Sequence, residues 1–161
     1  MKYGFGVDLG GTTVKIAYFD ETGTMLDKWE IPTRRDNGGE NIIPDIADAV
    51  NRYRKEKNIA DTELLGIGIG VPGAVVNGVV NRCVNLGWGI VPIEEELSKL
   101  TGLPVKASND ANVAALGEYW VGGGKGSQNV IFITLGTGVG GGIILDGKLL
   151  NGTHGAGGEL G

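Results

Sequence analysis

Apolar residues in the first 32 positions fall into three short runs parted by turn residues. Residues 3–8, 13–20 and 24–31 run apolar or alternate, with breaks at Gly10-Gly11 and Glu21-Thr22-Gly23, and Pro32 closes the third. That spacing predicts an antiparallel three-strand meander. The period then changes. Ile42, Ile46, Ala49, Val50 and Tyr53 recur at helical intervals among charged residues, which predicts a helix over 39–57. Leu64 to Val71 reads as a buried strand ended by Pro72-Gly73, and Asn77-Gly78 within 74–80 signals a type I′ hairpin. Pro92 suits the first turn of a helix running to Leu100, with Gly102 as its cap. A strand over 105–107 and an alanine-rich helix over 110–121 follow. A second hairpin over 129–146 and a short strand over 148–150 come last, before the glycine-rich stretch 151–161.

Strands that first pair locally and then alternate with helices describe an α/β domain over 1–121. Residues 122–161 read as the start of a second, similar domain, with the boundary or hinge in Gly122-Gly123-Gly124-Lys125-Gly126-Ser127. A length of 161 residues suits one domain plus part of another. The last residues lie inside a glycine-rich loop, so the chain is read as the front part of a longer protein.

Composition narrows the function. A net charge of −5 favours neither nucleic acid nor an anionic membrane as partner. Hydrophobic residues at 41% are enough for a packed soluble core, and no apolar run approaches the roughly 20 residues of a membrane span. Met1 to Gly4 lead straight into a strand without a signal-peptide core. Cys83 is the one cysteine, so no internal disulfide forms and a reducing cytoplasm is expected.

The chemistry lies in two strand–turn–strand passages. One is Asp8-Leu9-Gly10-Gly11-Thr12-Thr13, the other Leu135-Gly136-Thr137-Gly138-Val139-Gly140-Gly141-Gly142. Glycine admits positive φ and lets backbone N–H groups approach a ligand, and consecutive N–H groups form a nest for an anion. A plain hairpin needs only two such residues; five glycines within Gly136–Gly142 exceed that and weaken a strand. Neither passage is a Walker loop or a dinucleotide fingerprint, so phosphate held by hairpins is the reading. Between them Asn109-Asp110 stands where a strand ends and a helix begins, a place for either a helix cap or a catalytic carboxylate.

These blocks, with Gly70-Val71-Pro72-Gly73, Asn85-Leu86-Gly87-Trp88, Asn109-Asp110-Ala111-Asn112 and His154-Gly155-Ala156-Gly157-Gly158-Glu159-Leu160-Gly161, resemble the ROK sugar kinases and, among them, bacterial glucokinases. The resemblance covers the whole chain. It implies the actin-like, ribonuclease H-like ATPase fold and ATP-dependent phosphorylation of a hexose, with glucose as the leading substrate. N-acetylated hexosamine and fructose kinases remain alternatives, as does a non-catalytic sugar-binding fragment or regulator. A ROK repressor carries a DNA-binding domain ahead of the first hairpin, where this sequence has only Met1 and Lys2.

The resemblance also implies roles. Asp110 would be the general base, helped by the positive helix end. Asn109 and Glu159 would bind sugar hydroxyls from two sides, and Gly73 and Asn85 would face the sugar, the latter with an Asx turn as the alternative. Trp88 would line the pocket or serve as a half-buried aromatic. Asp8 would position Mg²⁺ through water. Gly10, Gly11, Thr12 and Thr13 would meet the phosphates on one side, and Gly136, Thr137 and Gly138 on the other. Lys15 is as well explained by solvent, and His154 by loop structure or a minor sugar contact. The expected partners are a hexose and ATP in a homo-oligomer. The family's structural Zn²⁺ ligands and half of its nucleotide site would fall beyond Gly161, so the 161 residues alone are expected to lack kinase activity.

Overall fold

The computed structural model describes residues 1–136, 138–153 and 155–161. Strands β1 (Tyr3–Leu9), β2 (Thr13–Asp20) and β3 (Met25–Pro32) form the expected meander. An irregular turn, α1 (Asp36–Gly39), precedes helix α2 (Ile42–Glu56). Strand β4 (Leu64–Val71), the hairpin β5 (Val75–Val76) and β6 (Val79–Val80), helix α3 (Ile93–Thr101) and strand β7 (Val105–Asn109) follow. Helix α4 (Asp110–Trp120) and strands β8 (Val130–Leu135), β9 (Val139–Leu145) and β10 (Lys148–Leu149) complete the order.

Five strands make one mixed sheet in the order β3-β2-β1-β4-β7. β1 pairs antiparallel with β2 and parallel with β4, and β4 pairs parallel with β7. The register sets Asp8 beside Gly70, and Gly70 and Val71 beside Ser108 and Asn109. The carboxyl ends of all three parallel strands therefore meet at one edge, the place where open α/β sheets bind ligands. On one face of the sheet, Phe5, Val7, Val14, Ile16, Ile67 and Ile69 bury against Ile42, Ile46 and Val50 of α2 and Ile93 and Leu97 of α3. Burying a side chain of this size stabilises by roughly 1.5–3 kcal/mol.

The local signals acted as read at two turns. Asn77 (φ 51°) and Gly78 (φ 78°) both take the left-handed conformation that a type I′ turn demands. Gly102 ends α3 at φ 70°, its N–H donating to the Ser98 carbonyl. The helix expected from residue 39 starts at Ile42 instead. Asn37 and Gly38 are left-handed and break the helix before it.

A second sheet, in the order β10-β9-β8, sits against α4. Here three of the five glycines between residues 136 and 142, namely Gly140, Gly141 and Gly142, have a packing role. A Cβ on Gly142 would lie 2.5 Å from the Ala115 Cβ, and one on Gly140 would lie 3.4 Å from the Ala111 Cβ. Gly141 is covered on its other face by Leu160 and the Gly158 carbonyl. The alanines of α4 and the glycines of β9 are complementary halves of one close helix–strand contact. The hairpin's apolar face is thus only partly uncovered. Val130, Phe132 and Thr134 are half-buried, while Ile131, Ile133 and Leu135 on the opposite side are exposed.

Candidate functional site

Helix α4 starts directly at the end of β7, and Asn109 rather than Asp110 is its cap. The Asn109 side-chain Oδ1 accepts from the Ala111 N–H at 3.0 Å, and its Nδ2 donates to the Gly73 carbonyl at 3.4 Å. Asp110 is the first helical residue and its side chain is exposed. Its Oδ1 also accepts from the Ala111 N–H at 2.8 Å, so the cap is duplicated. The alternative that Asp110 exists to cap the helix is thereby weakened.

Asp110 also lines a cavity of about 640 Å³ between the two sheets. Asp8 and Gly70 come from the ends of β1 and β4, Asp110 and Val113 from α4, and Gly136 and Gly138 from the β8–β9 turn. Ligand pockets occupy about 300–1,000 Å³. A second cavity of about 350 Å³, by Asn77 and Glu94, holds no comparable chemistry. There the Glu94 carboxylate is already engaged by the Ala107 N–H and the Lys106 ammonium.

The two hairpins differ from expectation in how they use glycine. None of Gly10, Gly11, Gly136 and Gly138 is among the glycines at positive φ. Gly10 is required by space, because a Cβ there would meet the Thr13 carbonyl oxygen at 2.7 Å. Gly11, Gly136 and Gly138 would meet nothing within 4 Å. Gly136 and Gly138 line the cavity, where their small size leaves room instead of relieving strain. In the first turn the Gly10 N–H donates to the Thr13 carbonyl, whereas the N–H groups of Gly11 and Thr12 have no backbone acceptor among the described residues. Those are free donors for an anion. Thr137 lies outside the described residues, as does His154.

The remaining expected residues are scattered. Asn85 is exposed in a short 3-10 turn, and its carbonyl accepts from Arg35. Glu159 is exposed and does not line the cavity. Lys15 is exposed across the strand pair from Asp8. Trp88 is no pocket wall: it is buried, with Nε1 donating to the Gly39 carbonyl at 3.3 Å. Asn112, in the Asn109-Asp110-Ala111-Asn112 block, has no role implied by its sequence. It is only 4% exposed, and its Oδ1 has no partner among the described residues. An orphaned buried acceptor costs about 1–3 kcal/mol, a signal that no spacing rule carries.

Among the described residues no three His, Cys, Asp or Glu side chains are close enough to hold a metal, and no helix is long and apolar enough to cross a membrane. Asp8 alone fits a cation such as Mg²⁺ that keeps most of its waters and shares phosphate oxygens. A zinc site of several protein ligands does not fit the described residues.

The profile of the ROK family matches residues 4–161. The chain belongs to the ROK family. It is 47% identical over 158 residues to a glucokinase of Halalkalibacterium halodurans, covering 97% of this chain and 48% of that protein. The ROK family glucokinase of Streptomyces griseus, solved in complex with glucose and AMPPNP, superposes with a TM-score of 0.85 at 38% identity, over 99% of this chain and 49% of that one. A xylose repressor of Caldicellulosiruptor bescii is 33% identical over 97% of this chain and 40% of its own length. The fold is thus the actin-like ATPase fold of ROK sugar kinases. The chain spans about half the length of the glucokinases it matches.

Proposed function

We propose that the whole protein to which these 161 residues belong catalyses ATP-dependent phosphorylation of a hexose, with glucose as the first substrate. The carrying observation is that Asp110, not needed as a cap, lines the same cavity as Asp8 and the turn of the second glycine hairpin. Asp110 takes the proton of the sugar hydroxyl as that oxygen attacks the γ-phosphorus, the bond from the β,γ-bridging oxygen to that phosphorus breaks and ADP leaves, and the hairpin N–H groups hold the phosphates. Asn109, Gly73, Asn85 and Glu159 are assigned to the sugar, and Gly10 to Thr13 with Gly136 to Gly138 to the nucleotide. The names of the Halalkalibacterium and Streptomyces relatives support glucose and ATP. Charge supports the cation: the described residues lining the cavity include two aspartates and neither lysine nor arginine. A polyphosphate entering such a site needs a divalent ion between it and the carboxylates, so Mg²⁺ bound by Asp8 through water is part of the proposal.

Coupled assays of the full-length protein over glucose, fructose and N-acetylated hexosamines test this. Glucose should be turned over with Mg·ATP, and EDTA should abolish both turnover and AMPPNP binding. Sugar binding without phosphorylation of any hexose would favour the sugar-responsive regulator, to which the repressor similarity lends support.

We further propose a homo-oligomer. Among the described residues β8 is an outer strand with an unpaired edge, and Ile131, Ile133 and Leu135 form a bare apolar row on its face away from α4, with Leu135 83% exposed. Exposed edges of this kind recruit another strand. Sedimentation velocity should show association that Ile133→Lys weakens, and a monomer at all concentrations would refute it. The single thiol is consistent with a reducing cytoplasm, which cell fractionation would read.

A further inference from the structure

The turn Pro72-Gly73, between β4 and β5, is held by side chains donating to two consecutive carbonyls. The Cys83 thiol donates to the Pro72 carbonyl at 3.2 Å, and Asn109 Nδ2 donates to the Gly73 carbonyl at 3.4 Å. The fit around the turn is close. A Cβ on Gly73 would lie 3.2 Å from the Arg82 carbonyl oxygen and 3.4 Å from the Cys83 Cβ. The same Asn109 amide caps α4 through Oδ1, so its two ends join the turn to the helix that presents Asp110. With one N–H and one lone pair so committed, the amide cannot flip, and its second N–H and second lone pair remain for a hydroxyl.

We propose that Cys83 and Asn109 are positioning residues that clamp the Pro72-Gly73 turn as a fixed wall of the hexose subsite, in register with Asp110. The inference rests on the hexose-kinase reading of the site. Cys83 is placed to act as a donor, not as a nucleophile. It is buried, and burial pushes its thiol above the usual range, with the Asp110 charge adding to the rise, so it keeps its proton. It reaches the sugar only through the turn. That separates its effect from any direct sugar contact by Asn109.

The test is isothermal titration of the protein with glucose and, separately, with Mg·AMPPNP, together with melting temperatures. Cys83→Ala deletes the donor together with the Sγ atom, and Cys83→Ser controls for the small void this leaves. The alanine variant should weaken glucose binding roughly fivefold, the worth of one hydrogen bond of about 1 kcal/mol, with AMPPNP affinity unchanged. Cys83→Ser supplies an O–H donor and should restore glucose affinity. Asn109→Asp keeps a helix-capping oxygen but cannot donate to the Gly73 carbonyl, so it should retain the melting temperature and lose more than roughly tenfold in glucose affinity. Equal glucose affinity in wild type, Cys83→Ala and Cys83→Ser would overturn the clamp. So would parallel loss of glucose and AMPPNP affinity, which marks general disorder. A wild-type protein that binds AMPPNP but no hexose would instead overturn the functional reading, and the subsite with it.

Discussion

Replacing Asp110 by alanine is expected to lower kcat by roughly 10²–10⁴, the range for loss of a general base, while glucose affinity and folding change little. The structural reason is the duplicated cap. Asn109 Oδ1 accepts from the Ala111 N–H whether or not Asp110 Oδ1 does. What Asp110→Ala removes from stability is one exposed carboxylate in the first helical turn, worth about 0.3–1 kcal/mol. Catalysis and stability should therefore separate cleanly at this position. Initial rates under saturating glucose and Mg·ATP, with a melting curve of the same preparation, are the measurements. A variant keeping most of its kcat would leave Asp110 a surface residue of α4. One whose melting temperature collapsed would show that the carboxylate holds the helix start after all. Asp110→Asn sharpens the comparison, since it keeps the size and removes only the basicity.

Much of the main sheet was legible because its signals are local. β4 is bounded by Glu63 and Pro72-Gly73, and its observed span of Leu64–Val71 coincides with the apolar run. The meander and the Asn77-Gly78 hairpin follow from turn chemistry that needs no distant partner. Failures came where a distant partner decides. Gly39 looked like the start of α2. In fact Asn37 and Gly38 turn the chain so that the Trp88 indole can reach the Gly39 carbonyl, a contact spanning 49 residues in sequence. The burial of Trp88 has the same origin, since nothing near it in sequence announces the Gly39 carbonyl as its acceptor.

The candidate site was legible as a set of residues but not as a shape. Asp8, Asp110, Gly136 and Gly138 do converge on one cavity, which requires α4 to lie between the two sheets. Nothing local fixes that position. It depends on Val113 packing over Gly70 on one side and Ala111 and Ala115 on Gly140 and Gly142 on the other. Glu159 and Asn85 belong to the same family blocks, yet neither lines that cavity.

That distinction gives the glycines of the second hairpin two opposite fates under mutation. Gly142→Ala would set a methyl 2.5 Å from the Ala115 Cβ and 3.0 Å from the Ala111 carbonyl oxygen. Neither neighbour is a flexible side-chain end, so the helix and strand must part, at a cost of about 1–3 kcal/mol. Gly138→Ala meets nothing within 4 Å, and Gly138 is not among the positive-φ glycines. Its cost to stability should stay within about 0.5 kcal/mol. Nucleotide binding should show the reverse ranking. A methyl at 138 occupies space beside the cavity that a phosphate would use, and should weaken AMPPNP binding by roughly tenfold or more, about 1.4 kcal/mol, with glucose binding unchanged. Gly142→Ala should weaken both ligands together as the protein loosens. Urea unfolding and separate titrations with the two ligands distinguish these patterns. If Gly138→Ala binds AMPPNP as tightly as wild type, the β8–β9 turn is an ordinary hairpin, and the phosphates must be held by Gly10 to Thr13 alone.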